Sequence, residues 1–210
     1  MGLNIALYVQ KGQRNRQAMN GITEFVARLK AWQVFILLVF PMFASQFYLM
    51  SNMPSPGSSP QPPSFEEFDA LFKQTMLMSL LMVVLLLAWL LSIGFAANRR
   101  VEKSLRLNTR LAAGSAVFAA GYIALAPLIW PGPGDLSSGE GSMALVFPLH
   151  ILAMIGLFYV LAFAARSIIM AERQSPVSFF DYSGPFFLMW FFPIGVWFVQ
   201  PRVNRIVAAQ

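Results

Sequence analysis

The sequence predicts an all-α integral membrane protein with four transmembrane helices in a bundle, followed by an aromatic C-terminal segment that re-enters or lines the membrane. Three observations lead there. Of the 210 residues, 57% are hydrophobic and only 11% charged, against roughly 25% charged in a soluble domain. Four stretches reach the length of about 20 apolar residues that a helix needs to cross a hydrocarbon core of about 30 Å: Ala31 to Met50, Thr75 to Ala97, Leu111 to Trp130, and Met143 to Met170. Lys and Arg fall on alternate connections between these stretches, the pattern that fixes orientation in a bilayer.

Residues 1–30 form a basic N-terminal segment. Ile22, Phe25, Val26 and Leu29 recur at helical spacing beside Arg28 and Lys30, which predicts an amphipathic helix with basic heads toward anionic lipid and an apolar face in the acyl boundary. The alternative is a helix that simply starts the first span early. Ala6 stands where N-myristoylation after Met1-Gly2 expects Ser or Thr. The first span reads as uncleaved, because Ala44 and Ser45 follow Met42 and Phe43 rather than the small residues of a signal-cleavage site.

Pro54, Pro56, Pro60, Pro62 and Pro63 among serines make the next connection an extended spacer. Ser64 and Glu67 form a capping-box pattern, so the second helix is expected to begin before the membrane, carrying Phe65, Phe68 and Phe72 on its projecting turns. Arg99, Arg100, Lys103, Arg106 and Arg110 then join spans two and three. With Lys11, Arg14, Arg16, Arg28 and Lys30 ahead of span one, they place both connections on the cytoplasmic side. The acidic residues Glu66, Glu67, Asp69, Asp135 and Glu140 lie on the opposite side. Trp32 and Tyr182 mark the inner interface, Tyr48 and Trp130 the outer.

Span three repeats Ala112, Ala116, Ala120 and Ala124 every fourth residue, a small-residue face on which another helix can approach closely. The Gly-rich loop after it ends in no phosphate-loop Lys. Beyond span four, in the cytoplasmic-side segment 172–210, the run from Pro185 to Val199 measures about 22 Å as a helix and is interrupted at Pro193-Ile194-Gly195. It is short for a crossing, and a crossing would carry Arg202 and Arg205 outside. The expected path enters the inner leaflet, turns at Pro193–Gly195, and returns with Gln200 and Pro201 at the interface and Arg202 and Arg205 on lipid phosphates. Five spans is the alternative.

The chain contains no cysteine and one histidine. Thiol nucleophiles, thiolate metal sites, the His-Glu-x-x-His zinc pattern and bis-histidine haem are therefore excluded. No Gly-x-Ser-x-Gly elbow is present. His150, near one end of span four, is the single candidate for binding a cofactor; the plainer reading is a neutral imidazole hydrogen-bonded across helices. Met76, Met78 and Met82 do not align on one helical face, so no metal site is expected. Arg166 and Lys73 lie near span ends, where long side chains snorkel. Arg99, Arg100, Lys103, Arg106, Arg110, Arg202 and Arg205 are the expected contacts to anionic lipid.

The closing segment Gly184-Pro-Phe-Phe-Leu-Met-Trp-Phe-Phe-Pro-Ile-Gly-Val-Trp-Phe-Val-Gln-Pro-Arg-Val-Asn-Arg-Ile206 resembles the closing motif of small uncharacterised multi-pass membrane proteins of Bacteroidetes-type bacteria. That resemblance implies a bacterial inner membrane and transfers no activity or site residue. The expected function is non-enzymatic, without cofactor and without nucleic acid. It works by association, as an accessory or assembly subunit or a homo-oligomer, with other membrane subunits or copies of itself as partners. The alternative is a channel or small-solute transporter whose path forms between subunits.

Overall fold

The computed structural model describes residues 21–52, 64–129 and 142–209, and these are helical almost throughout, with no strand among them. The elements are α1 over 21–28, α2 (Ala31–Asn52), α3 (Phe65–Asn98), a 3-10 turn (Lys103–Leu105), α4 (Thr109–Ile129), α5 (Ser142–Arg173), α6 (Phe179–Trp190) and α7 (Phe192–Ala208). Four of them hold apolar windows long enough to cross a membrane: Ala31–Tyr48, Lys73–Asn98, Thr109–Ala126 and Val146–Arg173. Each overlaps an expected span. The proline-rich spacer, the Gly-rich loop, and the side chains of Phe65, Phe68 and Phe72 lie outside what is described.

α3 starts at Phe65, directly after Ser64, so the second helix does begin ahead of its apolar window. At 34 residues it is about 51 Å long. α1 is a separate helix rather than an early start of span one. Its hydrogen-bond ladder stops at Leu29–Lys30, where the Lys30 amide donates to Gln33 Oε1 at 2.8 Å and the chain starts again as α2. Ile22 and Phe25 face outward, while Ala27 is fully buried.

The chain divides into two compact units. One comprises Phe35–Ala88 and Thr109–Val160. Within it, Gly156 of α5 passes close to Ser115 of α4: a Cβ on Gly156 would lie 3.2 Å from the Ser115 carbonyl oxygen. Val146, Ala153 and Val160 bury one edge of α5 at a seven-residue interval. α4 buries only part of the alanine repeat within this unit. Ala112 and Ala116 are buried, Ala120 is half-buried and Ala124 is exposed, while Ala119, Tyr122 and Ala126 are buried instead. At about 100° per residue, a strict four-residue repeat advances about 40° at each step and drifts off a straight interface. The buried residues therefore fall at steps of four, three, three and four, and Ala120 and Ala124 lie off that stripe.

The other unit comprises Met1–Val34, Trp89–Asn108 and Leu161–Gln210. Its interior is built from Trp89, Leu90 and Ile93 on α3, Ile168 and Met170 on α5, Met189 on α6, and Val196, Val199, Val203 and Val207 on α7. Phe95 and Phe163 meet edge to face at 5.7 Å, beside Gly94. The basic connection is packed, not a free loop. Val101 is buried with Ile169, Met170 and Val177, and Leu105 and Leu107 pack against that cluster. The Asn98 side chain exchanges two 3.0 Å hydrogen bonds with the Leu107 backbone.

The break in the aromatic tail falls at Phe191 (φ −92°, ψ 55°), which ends α6 and opens α7. This corrects the turn expected at Pro193–Gly195. Pro193 lies in the first turn of α7, where a missing N–H costs nothing and the fixed φ already suits a helix. Gly195 serves a different purpose: a Cβ there would lie 1.6 Å from the Leu188 carbonyl oxygen, so only glycine allows α7 to lie against the end of α6. The two helices have 12 and 17 residues, or about 18 and 26 Å, and neither holds an apolar window long enough to cross.

Candidate functional site

The polar centre of the second unit is Gln200, fully buried on α7. Trp89 Nε1 donates to Gln200 Oε1 at 2.9 Å. Because an indole N–H can only donate, it fixes which end of the amide faces α3. The Gln200 NH2 group is turned the other way, toward the carbonyls of Ala27 and Leu29 at 3.1 and 2.9 Å, and Asn204 Nδ2 adds a bond to Leu29 O at 3.2 Å. These are the carbonyls that the end of α1 leaves without intrahelical partners. One side chain thus joins α1, α3 and α7, and the expectation that Gln200 marks a return to the membrane interface is corrected. The sequence did contain a signal, since Trp89 stands mid-span, where the interfacial preference of Trp gives no reason for it and its N–H needs an acceptor.

Beside this lock, helix ends meet around Arg100. Its guanidinium donates to Ala96 O at 3.1 Å and to Val207 O at 3.2 Å, placing a cation on the carbonyl ends of α3 and α7, where helix dipoles favour one. Gln174, in the left-handed region at φ 50°, ends α5. Its side chain donates to Arg100 O and Ala171 O and accepts from the Glu102 amide. Those bonds explain why a residue other than glycine occupies that backbone position.

Arg99 is half-buried and donates to Thr23 Oγ1 at 2.7 Å. Burial lowers its pKa; Glu24 pulls in the other direction and Arg100 adds to the lowering. Arg106 donates to Val101 O and Arg99 O. Arg202 makes a two-point contact with the Glu172 carboxylate.

Four of the seven cations expected on lipid, Arg99, Arg100, Arg106 and Arg202, also donate to protein acceptors. Carbonyls at the helix ends need donors, and the nearest cations supply them. Lys103, Arg110 and Arg205 remain exposed. Arg100, Glu172, Gln174, Arg202, Arg205 and Ile206 line a groove of about 650 Å³. Near it, Arg173 pairs with Asp181, whose carboxylate also accepts from the Ser178 hydroxyl and amide. The two Ser178 bonds, then Arg173, hold the Asp181 carboxyl at a pKa of about 2.

In the other unit, the Tyr122 hydroxyl lies 3.2 Å from His150 Nδ1, with the rings edge to face. His150 is thus hydrogen-bonded across α4 and α5. Arg166, in the unit of Gln200, is half-buried, and its Nε has no acceptor among the described residues.

Fold and side-chain chemistry together define a multi-pass α-helical membrane protein. No family model, no curated protein and no solved structure matches the chain.

Proposed function

We propose that the protein is non-enzymatic and works by association in the membrane, as an accessory or assembly subunit or a homo-oligomer. The observation that carries the reading is the exposure of α2. Only 17% of its apolar window is buried, against 33% for the window of α5. Ile36, Phe40, Phe43, Phe47 and Met50 form its exposed edge at steps of four and three, the spacing with which one helix packs into another. Helices in lipid associate through such shape matching, since the surrounding chains are as apolar as the side chains.

The proposed membrane is bacterial and cytoplasmic, with both ends of the chain on the inner side and anionic lipid around the exposed cations. Support comes from the segregation of Lys and Arg, and from the bonds Arg99–Thr23 and Arg100–Val207, which hold α1, the basic connection and the end of α7 beside one another. α7 also changes character along its length: Ile194, Trp197 and Phe198 are exposed in its first half, and Arg205 in its second.

The test uses the absence of cysteine. The full chain purified in mild detergent is expected as a discrete oligomer or a stoichiometric complex. A single cysteine replacing Phe43 should cross-link to a second copy or to that subunit, and Phe40→Ala with Phe47→Ala should dissociate the assembly. A clean monomer without cross-links would overturn the reading.

A further inference from the structure

We infer that the groove lined by Arg100, Arg202 and Arg205 is a binding site for one phosphate-bearing anion. Three arginines against the single carboxylate of Glu172 leave the groove two net positive charges. Among the described residues no acceptor is bonded to Arg205, which is exposed. The Nε of Arg100 is buried and has no acceptor in the protein, although both terminal nitrogens of that guanidinium do. With those bonds made and its Nε inaccessible, Arg100 contributes charge to the groove rather than an open fork.

The geometry is set before any ligand arrives. Glu172 grips Arg202 at two points, 3.0 and 2.6 Å, and so fixes the direction of its remaining donors. Arg100 is fixed by two helix ends, and Gln174 is fixed to Arg100 O. The open guanidinium of Arg205 and the unused donors of Arg202, with the charge of Arg100 beside them, suit an anion with three or more acceptor oxygens; a carboxylate is satisfied by one fork. The volume falls within the range of small-ligand sites, larger than a bare oxyanion needs. Ile206, Ala171 and Ala209 supply an apolar wall for the organic part of a phosphate ester. A phospholipid headgroup and a soluble phosphate share this chemistry. The inference stands apart from whatever covers α2, since the groove and that helix edge draw on different residues.

The experiment uses the full chain in neutral detergent and follows the saturable rise of its thermal midpoint. One arm adds phosphatidylglycerol, with phosphatidylcholine as comparison, and the other adds inorganic pyrophosphate. Saturation by phosphatidylglycerol alone identifies a headgroup site, and saturation by pyrophosphate a soluble anion; either supports the inference. In the arm that saturates, Arg205→Gln should weaken binding about fivefold, the effect of one cation near phosphate. Lys103→Gln lies outside the groove and should leave binding unchanged. Equal responses to both lipids with none to pyrophosphate would overturn the inference, as would a loss in Lys103→Gln matching that in Arg205→Gln.

Discussion

Gln200, fully buried, links three helices through one amide. Its amide meets a buried indole N–H and the end of α1 together. Replacing it with leucine strands the Trp89 N–H and the Ala27 carbonyl, while Leu29 O keeps its bond from Asn204. At about 1–3 kcal/mol for each buried group left unpaired, partly relieved by relaxation, the expected loss is about 3 kcal/mol, read as a lowered unfolding midpoint in detergent. Trp89→Phe orphans only one acceptor and should cost less. Combining the two should cost less than their sum, because they remove the same bond.

Asp181 offers a second test, through pH. Its folded pKa of about 2 lies below the ordinary 3.8, so its contribution is fully present above about pH 4 and is lost as pH falls toward 2. The difference in midpoint between the parent and Asp181→Asn should be constant near neutrality and shrink across that acid window. A difference that grew on acidification would contradict the assignment.

Among the helices, the α6–α7 pair is where backbone approach decides the structure. Gly195→Ala places a Cβ against the Leu188 backbone, which cannot swing aside as a side chain can. The pair must separate, and a loss of several kcal/mol is expected. Gly184→Ala is the control. Nothing lies within 4 Å of the added Cβ, and alanine favours the helix by about 1 kcal/mol, so the midpoint should hold or rise. Equal effects from the two substitutions would mean that α6 and α7 do not touch there. The residues around this break also show what periodicity misses. Pro193 and Gly195 both read as helix breakers, yet one starts a helix and the other lets a helix pass, and the turn itself falls on Phe191, which has no turn propensity of its own.

For the molecule as a whole, the prediction concerns topology. In a chain without cysteine, Ala209→Cys should react with an impermeant thiol reagent from the same side as a cysteine at Lys103 and from the side opposite one at Ser64. Reaction from the Ser64 side would make the tail a fifth crossing. The four-helix membrane class was legible in the sequence because the cost of burying charge in lipid imposes long apolar runs, and such runs need no knowledge of neighbours. The start of α3 after Ser64 was legible for a similar local reason. What the sequence left open were the pairings between residues far apart in the chain. Mid-span Trp89 announced the need for an acceptor but not that Gln200 would supply it, and Arg100 with Val207 and Arg202 with Glu172 carry no local signature. The sequence by itself determined which segments could cross a membrane, since that is a property of composition over one helix length; only the tertiary structure decided which cations and amides face partners inside the protein, since a hydrogen bond depends on where two distant backbones meet.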